Sequence, residues 1–212
     1  MCLEERVFYR LLSGMHASIS LHLAHRWYNA TADAYLPNAT EFLRRFAPEH
    51  TAGEGPARLR NLYFTYSTVL RAIVKAQTMW ESYPLFGEAR DRDGMSTRAA
   101  VMQLVQTAQT CDRTFDEHAL FQDPESAALA DELRAHLRHV SRLMDCVGCR
   151  KCRLWGKLQV RGLATALKIL FTPFDDLHPD TPLVLARNDV VALFNLWERL
   201  ASSISRELEQ VR

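Results

Sequence analysis

Three cysteines fall at three-residue intervals in Cys146-Val147-Gly148-Cys149-Arg150-Lys151-Cys152, and Arg153-Leu154-Trp155-Gly156-Lys157 follows at once. Sulfur grouped this way supports three kinds of chemistry. Cys149 and Cys152 at the start of a helix can close a small redox disulfide. The helix N-terminus, with Arg150, Lys151, Arg153 and Lys157, would favour a thiolate there. A C-x-x-C-x-x-C run is also the first part of a bacterial iron–sulfur motif, but position 156 is Gly where a fourth Cys is wanted. Only Cys2 and Cys111 remain to complete a cluster. Structural zinc, with His136 or His139 as fourth ligand, is the third reading, and one half-site is visible where two are usual. Local chemistry leans to the redox pair and leaves both metal readings open.

The elements that must carry these cysteines read as helices. Leu59, Leu62, Tyr63, Tyr66, Val69, Leu70, Ile73 and Val74 lie on one stripe at helical spacing. So do Leu129, Leu133, Leu137, Val140 and Met144, and again Val190, Leu193, Phe194, Trp197, Leu200, Ala201, Ile204 and Leu208. Asp123-Pro124 has the form of an N-cap followed by proline at the first helical position. Asn38 with Glu41 has the spacing of a capping box. Helices are expected over 3–26, 39–47, 57–81, 95–110, 124–144, 150–171 and 188–209. Loops are expected near 28–37, 48–56, 82–94 and 172–187, the last holding Pro173, Pro179 and Pro182. No period-two run reads as a strand. The expected fold class is all-α, with residues 1–212 forming a single helical domain.

Composition sets limits on function. The chain has 212 residues, 48% hydrophobic and 24% charged, with a net charge of +1. That balance gives no strong field toward nucleic acid, and none is expected as a partner. No apolar run approaches the roughly 18 residues of a membrane span. Glu4 and Glu5 stand where a signal peptide would be basic, and no leader is expected in this stretch. Asn29-Ala30-Thr31 and Asn38-Ala39-Thr40 are glycosylation sequons. Trp155 and Trp197 sit on helical stripes and read as core.

Longer words around the cysteines carry a resemblance. Met144-Asp145-Cys146-Val147-Gly148-Cys149, then Lys151-Cys152-Arg153-Leu154-Trp155-Gly156-Lys157-Leu158-Gln159, Gly162-Leu163 and Thr165-Ala166-Leu167-Lys168-Ile169-Leu170-Phe171 closely resemble the endoplasmic reticulum oxidoreductin family. Ser13-Gly14-Met15-His16-Ala17-Ser18-Ile19, Glu41-Phe42, Arg45-Phe46, Gly53-Glu54-Gly55-Pro56, Arg58-Leu59, Asn61-Leu62-Tyr63-Phe64 and Val191-Ala192-Leu193-Phe194-Asn195 match in the same order.

The resemblance implies a flavin-binding helical bundle core. It implies a thiol oxidase that reoxidises protein disulfide isomerase, passing electrons through a C-x-x-C pair and FAD to molecular oxygen, with hydrogen peroxide as product. Cys149 and Cys152 match the inner redox pair, and no metal is implied. Ser13, His16, Arg45 and Arg58 match flavin-contacting positions, although alone they read as ordinary polar helix residues. Cys146 matches a cysteine whose partner lies in the N-terminal half, and Cys2 one bonded to another upstream cysteine. Both are therefore expected unpaired in this chain, while Cys111 falls outside the pattern. The match starts at the family's C-terminal half, so the signal peptide and outer shuttle cysteines are expected to be absent. The implied location is the endoplasmic reticulum lumen, with peripheral membrane association. The alternative reading is a truncated, catalytically silent homologue acting only as a protein-binding module.

Overall fold

The computed structural model describes residues 2–83, 92–111, 116–122, 124–172 and 183–211. The chain is helical almost throughout, as the periodicity predicts: α1 Leu3–Ala24, α2 Ala39–Phe46, α3 Glu54–Lys75, α4 Gln77–Ser82, α5 Arg92–Ala108, α6 Pro124–Leu143, α7 Arg150–Phe171 and α8 Arg187–Val211. Short 3-10 turns lie at Pro48–His50, Glu117–Ala119 and Met144–Cys146. The expected Asp123 cap and the proline excursion at 173–182 lie outside the described residues.

Two compact units are distinguished. One comprises Met1–Tyr66 with Leu196–Arg212, and the other Ser67–Asn195. Both divisions fall inside continuous helices, α3 and α8.

In the first unit, α1 starts on a cysteine. The Cys2 thiol accepts from the Glu5 N–H, and the Glu5 carboxylate takes the Cys2 N–H at 3.0 Å. This is the reciprocal arrangement of a capping box, with sulfur in the place of a hydroxyl. Val7, Phe8, Leu11, Ala17, Leu21 and Ala24 then recur at helical spacing and are buried. Asn38 caps α2 through Oδ1 to the Glu41 N–H at 3.1 Å. The reciprocal half of that box is not formed. The Asn38 N–H goes to the His25 carbonyl, and Glu41 turns to Arg44 and Arg45.

Two expectations need correction. Residues 28–37 are not simply a loop. Arg26–Asn29 (β1) and Ala34–Pro37 (β2) pair antiparallel, with Trp27 opposite Leu36 and Tyr28 opposite Tyr35. Four residues per strand give too short an alternation to register as period two. Cross-strand contact supplies the stabilisation, since the Tyr28 and Tyr35 rings meet edge to face at 5.4 Å. The Asn29 side chain closes the turn, its Oδ1 accepting from the Thr31 and Ala32 N–H groups. The helix expected over 57–81 is also broken, at Ala76. At that break the Trp80 indole N–H donates to the Ile73 carbonyl at 2.7 Å. A side-chain bond to a backbone carbonyl seven residues back is invisible to periodicity.

The second unit has its core on Ile73, Trp80, Val105, Leu163, Ile169 and Leu193. A buried ion pair joins Arg71 to Glu117, whose carboxylate is 4% exposed. Burial pushes the Glu117 carboxyl up, but the Arg71 fork outweighs it and holds it below the ordinary value.

In the first unit α1 meets α8 through a polar seam. The Ser18 and Ser203 hydroxyls lie 2.6 Å apart, and the Arg199 guanidinium donates to His22 Nδ1 at 3.1 Å. Burial, and then the Arg199 and Arg206 charges, push the His22 imidazole down to about 4. The unfolded ring titrates near its ordinary 6.5. Between those values the unfolded chain binds the proton and the folded one does not. Stability is therefore predicted to be full above about pH 6.5, and to fall steadily as pH drops toward 4. His22→Gln keeps a polar side chain and removes the titration. Urea midpoints at pH 7 and pH 5 should differ less in that variant than in the parent chain.

Gly14 sets the approach of α1 to α3. A Cβ there would lie 2.1 Å from Thr65 Oγ1 and 2.3 Å from the Asn61 carbonyl oxygen. Alanine gains about 1 kcal/mol of helix propensity over glycine, but forcing backbone apart costs about 1–3 kcal/mol or more. The backbone carbonyl cannot swing aside as a side chain can, so the clash wins. Gly14→Ala should destabilise the chain by about 2 kcal/mol in urea unfolding.

Candidate functional site

Cys149 and Cys152 form a disulfide, with Cα atoms 5.2 Å apart. Cys149 is the N-cap of α7, and its sulfur accepts from the Cys152 N–H at 3.2 Å. The Arg153 N–H closes the first helical turn on the Cys149 carbonyl at 2.9 Å. Both cysteines are exposed. A Cβ built on Gly148 would meet nothing within 4 Å, so the approach beside Cys149 is open. Cys146 is a free, exposed thiol, as are Cys2 and Cys111. The expected pairing scheme within the cluster is thus the one observed.

The turn Met144–Cys146 is held against α7 at three points. Lys157 pairs with Asp145 at 2.6 Å, and Arg153 donates to the Asp145 carbonyl at 3.4 Å. Gly156 makes the third contact. A Cβ there would lie 2.5 Å from the Met144 sulfur, so the missing side chain leaves the notch that Met144 occupies. Further along α7, buried Gln159 donates to Asn195 of α8 at 2.7 Å. His136, one of the ligands in the zinc reading, has the Glu132 carboxylate 3.9 Å away on its own helix.

The four expected cofactor-contacting residues all lie in the first unit, and the disulfide lies in the second. Ser13 and His16 are one turn apart on α1, with Ser13 half-buried and His16 exposed. The Ser13 hydroxyl accepts from Asn61 Nδ2 of α3 at 3.1 Å. Arg58 is one turn before Asn61 on α3, and its guanidinium pairs with Glu54 at 2.6 Å. Arg45 lies in the last turn of α2 and pairs with Glu41 at 2.5 Å. Hydrogen bonds from Arg44 and then Arg45 hold the Glu41 carboxyl down to about 2. Beside Arg45, the Phe46 carbonyl presses on Gly55, where a Cβ would come within 1.9 Å. That contact brings the end of α2 to the start of α3, and hence Arg45 toward the helix that carries Arg58.

Asn61, Asn195 and Met144 act here through partners that sequence reasoning does not supply. Asn61 and Asn195 belong to family words, but their partners lie 48 and 36 residues away. The one signal available for Met144 is its neighbour Gly156, a glycine inside a helix with a strong periodic pattern.

Residues 1–207 match the family described as Endoplasmic Reticulum Oxidoreductin 1 (ERO1). ERO1-like protein alpha of Mus musculus is 42% identical over 226 residues, taking in 100% of this chain and 48% of that protein. The Ero1-like protein of Drosophila melanogaster is 39% identical over 231 residues, taking in 100% of this chain and 47% of that protein. Among solved structures, a mutant of S. cerevisiae Ero1p aligns with a TM-score of 0.78 at 32% identity, covering 97% of this chain and 55% of that one. Ero1p, described as a source of disulfide bonds for oxidative protein folding in the cell, aligns with a TM-score of 0.75 at 31% identity, covering 97% and 52%. The chain spans about half the length of these relatives. Full coverage of this chain at such identity, with the same helical fold, places it in the ERO1 family of oxidoreductins.

Proposed function

We propose that this chain is the catalytic part of a FAD-dependent thiol oxidase of the endoplasmic reticulum lumen, peripherally attached to the membrane, that reoxidises protein disulfide isomerase. The observation that carries this reading is the exposed Cys149–Cys152 disulfide at the start of α7 in a chain of this family. A thiolate of the donor attacks the Cys149 sulfur, and Cys152 leaves as a thiolate. The donor's second thiol displaces Cys149, so the donor is oxidised by two electrons and the pair is reduced. Cys149 takes the outward role because the space beside Gly148 is open. Its thiolate keeps the Cys152 N–H and the positive end of α7 as partners.

The donor set of the first unit fits a dinucleotide. Arg45 and Arg58 offer two planar forks suited to phosphate oxygens. Each is engaged by a carboxylate of its own helix, and such surface pairs are worth at most about 1 kcal/mol to give up. Ser13 and His16 add a hydroxyl and an imidazole from α1. FAD, when bound, supplies the acceptor that takes two electrons from the reduced pair and passes them to oxygen, giving hydrogen peroxide. Within this reading the chain acts as one functional domain, with Ser13, His16, Arg45 and Arg58 serving the same cofactor as Cys149 and Cys152.

Two measurements test the proposal. Titrating FAD against the chain, alone and joined to the N-terminal half of a relative, should show flavin binding that weakens about tenfold in Arg45→Ala or Arg58→Ala, one charge-assisted contact's worth. Flavin affinity indifferent to both substitutions would remove the assignment of these arginines. Mixing Cys152→Ser with a disulfide-bonded donor protein should trap a mixed disulfide on Cys149. Trapping that occurs instead in Cys149→Ser, through Cys152, would reverse the two roles.

A further inference from the structure

The charge of this near-neutral chain is unevenly placed. Residues 131–157, the end of α6 through the start of α7, carry seven Lys/Arg and three Asp/Glu, a local +4 against −3 for the rest. Two of the three carboxylates there are paired with cations, Asp131 with Arg134 at 2.6 Å and Asp145 with Lys157 at 2.6 Å, while Glu132 has His136 3.9 Å away. Arg138, Arg142, Arg150 and Lys151 are exposed, and no ion pair is assigned to them among the described residues. They flank the link that carries the cysteines, two on α6 and two in the first turn of α7, and these helices pack on each other.

Helix stability does not account for this placement. Cations in a first turn oppose the helix dipole, where acidic residues stabilise. Helices α1, α2, α3, α5 and α8 each carry an acidic residue in that turn, and α7 carries none. These cations place positive field on both sides, along the chain, of an exposed disulfide whose reduction begins with an approaching thiolate. Such a field raises the local concentration of anionic reactants and lowers the pKa of an incoming thiol.

We propose that Arg138, Arg142, Arg150 and Lys151 form a steering surface that selects acidic dithiol segments as electron donors to Cys149–Cys152. The inference rests on the redox reading of that pair and adds the charge of its donor. The exchange balances: one donor sulfur bonds to Cys149 as the Cys149–Cys152 bond breaks, and the second donor thiol then displaces Cys149. Two electrons and two protons pass from donor to pair.

The test uses the intact chain and three reductants: a two-cysteine peptide rich in Asp and Glu, the same peptide with Lys in their place, and uncharged dithiothreitol. Mass spectrometry of the peptide bearing Cys149 and Cys152 follows the reduction. At low ionic strength the acidic peptide should react about tenfold faster than the basic one, a typical gain from electrostatic steering. The ratio should fall toward one in about 1 M salt, where the Debye length is roughly 3 Å. Arg138→Glu with Arg142→Glu should lower the ratio at low salt, and Arg138→Gln with Arg142→Gln should lower it less. A ratio, unlike an absolute rate, is not moved by a general loss of reactivity or folding. Equal rates for the two peptides, with dithiothreitol still active, would overturn the steering surface and leave the redox reading standing. Failure of dithiothreitol to reduce the pair would overturn the redox reading itself, and the inference with it.

Discussion

Helices α1 and α3 touch backbone to side chain at Gly14, and the polar contacts between these two helices gather around that point. With no Cβ in the way, the Asn61 carbonyl and the Thr65 hydroxyl reach the surface of α1. Thr65 then donates toward the Leu11 carbonyl, while Asn61 donates to Ser13 and accepts from Arg10. Arg10 in turn lies over the Phe64 ring, 3.7 Å from its centre. A larger residue at 14 would not merely cost packing. It would separate every partner in this series at once, because all of them span the same two helices.

A second glycine does comparable work beside the disulfide. Gly156 admits the Met144 sulfur, and Asp145 is tied to Lys157 and Arg153. The turn that carries Cys146 is thus anchored to the same helix that begins with Cys149. Rigidity here has a chemical use, since thiol–disulfide exchange needs its sulfurs held in line. The open side of Gly148 contrasts with the filled side of Gly156, so two glycines eight residues apart serve opposite purposes.

The helices were legible because each buries one stripe, and that stripe repeats with a period the sequence displays. The range expected for α7, 150–171, coincides with Arg150–Phe171. What depends on distant partners was not legible. The β1–β2 pair has four residues a side, and its tyrosine contact shows no local signature. At the break at Ala76 an indole takes a carbonyl seven residues back. The Asn38–Glu41 spacing indicated the cap correctly but not the competition for Glu41 from Arg44 and Arg45. At the site, the words around Cys149 and Cys152 pointed to their bond. The Met144–Gly156 contact, which positions the neighbouring turn, requires coordinates.

Asn29 and Asn38 show how one side chain can serve backbone and surface at the same time. Each uses its carbonyl oxygen internally, Asn29 to close the β1–β2 turn and Asn38 to cap α2. The amide nitrogen is the atom to which an N-linked sugar is joined, and neither hydrogen bond draws on it. A glycan at either sequon is therefore compatible with the turn and the cap as they stand. Replacing either asparagine by glutamine, the usual way to abolish such a site, would instead move the oxygen one methylene away and disturb the backbone that the sugar leaves alone.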